Sequence, residues 1–185
     1  MTLLRGSDPK IIRFRKTVEQ YCALIENCKG TAKRDFVEQC LRLLVDLFSQ
    51  SLELNFQNIR GKTPDLPSVS YEEWKVIYRR IEVKLGKHGL YRKVLDPFDP
   101  KPPKSNYGSL ADDLADTWRD LKDGLLAAKA GKLDEAVWKW RFSFECHWGP
   151  NHGAHAFSPL HHLLFGLNEI PVRTSHGKRK RPKAK

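Results

Sequence analysis

The stretch from Asp116 to His162 concentrates the residue types that do chemistry. It holds four of the chain's five tryptophans, five of its seven histidines and an aspartate row leading into them. Histidine and aspartate can exchange a proton or supply nitrogen and oxygen ligands to a divalent metal. Asp112, Asp116, Asp120 and Asp123 recur at helical spacing, and His147, His152 and His155 follow around a Gly149-Pro150 break. Two readings of the aspartates stand: a solvated face, or a carboxylate row turned towards a cation, a metal or a basic partner. His147 reads either as a hydrogen-bonded core histidine or as a ligand. HExxH and the ExxH pairs of di-iron bundles are absent, and Glu145-Cys146-His147 has the wrong offset for either. The motifs therefore call for no cofactor. A divalent metal at His147, His152 and His155 is carried as an alternative.

Arg141 sits among Trp138, Trp140, Phe142 and Phe144. A guanidinium in that company pairs, stacks or binds an anion, and Glu145, one turn on, is its nearest partner. Cys146 has an apolar neighbourhood with nothing to activate a thiolate. No Walker loop, GxGxxG or GxSxG elbow occurs in the sequence.

The elements that must position these residues are helical. Asp8-Pro9 caps and opens a first helix, whose apolar positions Ile11, Phe14, Val18, Tyr21, Cys22 and Ile25 repeat every three or four residues up to Gly30. A second helix starts at Thr31 and runs to about Asn58, antiparallel to the first. Ser70-Tyr71-Glu72-Glu73 has the spacing of a capping box for a third helix, closed by Gly86. Pro97, Pro100, Pro102 and Pro103 make residues 87–108 a long loop. Leu90, Tyr91, Val94, Leu95 and Phe98 give its first half apolar weight to drape over the bundle.

Ser109 caps a fourth helix that ends at Gly131. A fifth runs from Leu133 to Trp148, and a poorer one occupies 152–166, interrupted near Pro159. The fifth helix is apolar nearly all round, which predicts that it is the central element, buried on both faces. No useful length alternates at period two, so no sheet is expected. The fold class is all-α: one helical-bundle domain of five to six helices over residues 1–172, with a long Pro-rich loop and a disordered basic tail over 173–185.

The run D-x3-D-L-K-x-G-L from Asp116 to Leu125, followed by W-R-F-S-F-x2-H-W-G from Trp140 to Gly149, resembles the bacterial domain-of-unknown-function family DUF5063. The likeness is strongest over residues 109–162. It implies an all-α bacterial protein and no particular activity. The positions it carries over include Asp116, Asp120, Lys122, Gly124, Trp140, Arg141, Phe144, His147, Trp148, Gly149, His152 and His161, although Pro150-Asn151 is one residue longer than the family pattern. The candidate polar site is accordingly Asp116, Asp120, Lys122, Arg141, Glu145, His147 and His152, set across the hairpin of the fourth and fifth helices.

Composition narrows the classes. The chain has 185 residues, a formal charge of +11, 40% hydrophobic and 30% charged residues, as in a soluble globular protein. No apolar run nears the roughly 20 residues of a membrane span. The first residues, MTLLRGSDPK, lack a signal-peptide core, so the expected address is the cytoplasm. Cys22, Cys28, Cys40 and Cys146 show no CxxC spacing and read as reduced thiols. Arg173, Lys178, Arg179, Lys180, Arg181, Lys183 and Lys185 carry seven of the eleven net charges. They form a tail that either solubilises the chain or attracts nucleic acid or another acidic partner without sequence specificity. The first functional expectation is a non-enzymatic binding domain aided by this tail. The alternative is a metal-dependent or acid/base enzyme using Asp116, Asp120, His147 and His152.

Overall fold

Ser109 ends one short strand and begins the helix on which the rest of the fold is organised. Its hydroxyl accepts from the Asp112 amide, satisfying an orphan N–H of the first turn. A computed structural model describes residues 8–54, 66–94, 98 and 106–166. Over these the order is α1 (Pro9–Glu26), α2 (Lys33–Glu53), α3 (Tyr71–Leu85), β1 (Leu90–Lys93), β2 (Asn106–Ser109), α4 (Leu110–Lys129), α5 (Leu133–Cys146) and α6 (Ala154–His161). The basic tail, the end assigned to the second helix at Asn58, Leu95 and the four loop prolines lie outside the described residues.

The helix boundaries follow local chemistry. Asp8 caps α1 through the Lys10 amide, with Pro9 in the first turn. Ser70 and Glu73 exchange side-chain and backbone bonds as a full capping box on α3. Gly86 and Gly131 take φ of 58° and 77° at the ends of α3 and α4, conformations that cost glycine nothing. α6 runs through Pro159 without a break. The buried proline ring offsets the missing backbone bond by packing. Wide π-type turns flank α6 at Trp148–Gly153 and His162–Gly166, so α5 ends two residues earlier than the sequence suggests.

The sheet is a correction. β1 and β2 form a two-stranded antiparallel ribbon with Tyr91 opposite Gly108. Strands of four residues are too short for period two to declare itself. The ribbon closes because Gly108 has no side chain: a Cβ there would stand 2.6 Å from the Tyr91 ring. Of the described apolar loop residues only Tyr91 packs on the core, while Leu90, Val94 and Phe98 are exposed.

The central element is α4, not α5. α4 buries twelve residues and packs against α1, α3, α5 and α6. α5 buries only Ala136, Val137 and Trp140. Its second apolar face is left outward, where Trp138 and Phe142 stack at 5.0 Å and Phe142 is 53% exposed. The α4–α5 seam is tight at one point. A Cβ on Gly124 would come within 2.0 Å of the Trp140 indole nitrogen, which donates to the Leu121 carbonyl at 2.9 Å. Cys22, Cys28 and Cys40 are buried, Cys146 is exposed, and all four are free thiols. Among the described residues no helix is long and apolar enough to cross a membrane.

Candidate metal centre

Two of the α4 aspartates are buried, and Asp112, Asp120 and Asp123 are half-buried. Asp113 is 2% and Asp116 8% exposed. Projected at about 100° per residue, Asp113 falls about 60° from Leu110, at the edge of the apolar arc of Leu110, Leu114, Trp118, Leu121 and Leu125. Asp112 and Asp113 lie in the first turn of α4, where the helix dipole favours negative charge.

The α5 end and the turn after it bring two histidines to this row. His147, at the C-cap of α5, places Nδ1 2.7 Å from Asp120 Oδ2. His152 places Nδ1 3.3 Å from Asp113 Oδ1 and Nε2 3.5 Å from Asp116 Oδ2. The two imidazoles meet edge to face at 4.8 Å. Tyr91 donates its phenol to Asp113 Oδ2 at 2.6 Å. Arg119 Nη2 lies 2.7 Å from Asp116 Oδ1 as an ion pair. The pair is not aligned as a hydrogen bond, and that buried oxygen has no hydrogen-bond partner among the described residues.

The electrostatics follow from burial. Burial raises the Asp112 carboxyl above its usual range, and the neighbouring Asp116 adds to the rise. Burial also raises Asp120, against the opposing effect of its His147 hydrogen bond. For His152 burial pulls the imidazole down, but the bond to Asp113 and the charges of Asp116, Asp113 and Asp112 outweigh it, so His152 holds its proton above the ordinary range. Burial and the bond to Asp113 push the Tyr91 phenol up, so it stays a donor.

The donor set suits a cation. Ligand atoms of Asp116, His147 and His152 lie within 4.8 Å of one another, and Asp112, Asp113 and His152 form an overlapping trio. Ligands about 2.1 Å from a tetrahedral ion stand about 3.4 Å apart, close to the 3.5 Å between His152 Nε2 and Asp116 Oδ2. Asp120 and Asp113 occupy the outer role, each holding a histidine by Nδ1. A carboxylate on one ring nitrogen fixes the ring and leaves Nε2 for a metal.

The other sequence-derived candidates have their own partners. Arg141 pairs with Glu145 along α5. Lys122 reaches across to Glu26 of α1, which also accepts from the Trp118 indole at 3.1 Å. His155 faces the Asn151 carbonyl one turn back. His161 lies against Phe165. Sequence reasoning missed Asp113, Tyr91 and Arg119. Asp113 could have been found from its place on the edge of the apolar arc. Tyr91 reaches the site through a ribbon that no pattern announced.

A groove of about 400 Å³ opens beside the cluster, lined by Asp120, Trp138, Lys139, Phe142, Cys146 and His147 among others. The family model of DUF5063, a domain of unknown function, matches residues 6–166. The chain belongs to this family. The residues shared with the family motif now have physical roles: Gly124 receives Trp140, and Asp120 holds His147. Gly149 stands where a Cβ would meet the Phe144 carbonyl at 2.1 Å. The fold is similar to that of protein BF1032 from Bacteroides fragilis, known from a crystal structure. The TM-score is 0.71 at 19% identity, over 96% of this chain and 97% of that one. Among curated proteins nothing matches the chain.

Proposed function

We propose that this chain is a cytoplasmic metal-binding domain whose centre is Asp116, His147 and His152. The observation that carries the reading is the paired outer shell: both histidines have Nδ1 against a buried or half-buried carboxylate, and His152 Nε2 stands at ligand spacing from Asp116. Two imidazoles and one carboxylate suit a first-row divalent transition metal better than magnesium or calcium, which prefer oxygen. Three protein ligands leave a coordination position open. The groove beside His147 is where a water or substrate oxygen would reach it, which makes metal-assisted acid/base chemistry the activity to look for.

The test is elemental analysis and calorimetric titration with Zn²⁺ on protein purified without a histidine tag. About one equivalent is expected, as for a single catalytic-type site. The double variant His147→Ala/His152→Ala should keep its helical circular dichroism and lose the metal. A chain that binds no metal at millimolar Zn²⁺, or a double variant that binds as well as the natural sequence, overturns the reading.

A further inference from the structure

On the other side of Tyr91 from the aspartates lies a hollow of about 300 Å³ with the opposite charge. It is formed by the turn after α3, by β1, and by α6 with the turn that follows. Lys87, His88, Arg92, His162 and Ser158 line it, with Leu90 and Leu163 as apolar wall, and no carboxylate is among the lining residues. Lys33 of α2 stands behind, its ammonium 3.2 Å from His88 Nδ1. Facing an ammonium, that nitrogen serves as the acceptor and Nε2 carries the ring's proton. Among the described residues no carboxylate pairs with Lys33, Lys87 or Arg92, whereas nine other Lys, Arg or His side chains have acidic partners.

We infer that this hollow is a binding site for a small phosphate-bearing ligand. Several cationic or donor groups from three elements converge there without a counter-charge among the described residues, and like charges held together repel unless an anion joins them. An arginine fork, a lysine point charge, imidazole N–H groups and a hydroxyl are the donors that recognise a tetrahedral dianion. Burial and the neighbouring Lys33, Lys87 and His162 hold His88 below its usual range, which fits an uncompensated positive field. A volume near the small end of ligand pockets fits a phosphate with a short organic portion, seated on Leu90 and Leu163, better than a polymer backbone. The inference does not rest on the metal reading, although Tyr91 belongs to both sites: its ring lines the hollow and its hydroxyl holds Asp113.

The experiment is a titration of the full chain, in chelator, with inorganic phosphate and with phenyl phosphate, read by the imidazole resonances of His88 and His162. Saturable shifts of both histidines are expected. In Lys87→Glu/Arg92→Glu, two exposed positions, the dissociation constant should rise at least about tenfold, the effect of losing one charge-assisted bond. Absence of saturable shifts at either histidine overturns the proposal. So does binding that is unchanged in the double variant, which would place the anion on the C-terminal basic residues. A single-stranded oligonucleotide that binds through Lys87 and Arg92 while the small phosphates do not would assign the surface to nucleic acid instead, and also overturns it.

Discussion

The two halves of α4 are built on different principles. From Leu121 onward the face turned to α5 is held by exclusion: Gly124 has no side chain, Trp140 lies on it, and Phe14 meets that indole edge-on at 5.4 Å. Lys122 and Asp123 make polar contacts to Glu26 and the Val69 amide on other sides. From Asp112 to Asp120 the aspartate edge is held by directional polar contacts: Asp113 to Tyr91 and His152, Asp116 to Arg119 and His152, Asp120 to His147. A packed seam fails when a single methyl is added. A polar network tolerates an isosteric change in shape but alters what it can bind. The Gly124 seam of one half therefore marks stability and the aspartate edge of the other marks affinity, while Leu110, Leu114 and Trp118 bury the opposite face of that polar half in the core.

Gly124→Ala tests the first half and should have the largest effect. The added methyl has no room beside the Trp140 nitrogen, and Trp140 is locked by its bond to Leu121. A loss of about 3 kcal/mol is expected, the upper end for overpacking a core, measured as a fall in the urea midpoint. A loss below about 1 kcal/mol would mean that the seam yields easily and that the two halves are not different in kind.

Asp120→Asn tests the second half. The amide fills the same space, so the urea midpoint should move little. The carboxylate that orients His147 is gone, however, and metal affinity should fall about 10–100-fold, the usual effect of removing an outer-shell partner. Asp113→Asn should act likewise through His152. Unchanged Zn²⁺ affinity in both variants would reduce these contacts to structural pairs and remove the contrast.

Much of the frame was legible in the sequence because its signals are local. The Asp8, Ser70 and Ser109 caps and the Gly86 and Gly131 stops act on residues within a turn of themselves. The meeting of α4 with the end of α5 was suggested by the family resemblance, which carries Asp116, Asp120 and His147 over together, and the structure brings Asp120 to His147. What was not legible depends on non-local placement. α5 carries aromatic residues on both faces, but pattern alone cannot say whether a neighbour covers the second face, and none of the described elements does so for Phe142. The aspartate row looked solvated when judged by its charge, yet α4 lies at the centre and its edge residues are covered from several sides. Tyr91 enters the site through a four-residue strand whose existence depends on Gly108, seventeen residues away in sequence.

The smallest expected effect concerns pH, and it sharpens the contrast most because proton and metal compete for the same atoms. His152 is flanked by Asp112, Asp113 and Asp116, and its folded value is raised above the unfolded value of about 6.5. The native state thus holds the proton more tightly. Its stabilisation is fully present below about pH 6.5 and is lost as pH rises through the raised folded value. Asp112 and Asp120 are also raised, so their contribution has the same sign but runs its course from about pH 3.9 upward. Between pH 6 and 8 the metal-free chain should therefore lose a few degrees of Tm relative to a His152→Gln variant, about 2–4 °C for each kcal/mol in a chain of this size. Zn²⁺ reverses the slope, since its ligands must shed protons to bind, and the metal-induced rise in Tm should grow over the same interval. The readout is a pair of thermal-melt series with chelator and with Zn²⁺. Parallel series would show that protons and metal do not meet at His152, and would leave the polar half of α4 a structural network rather than a site.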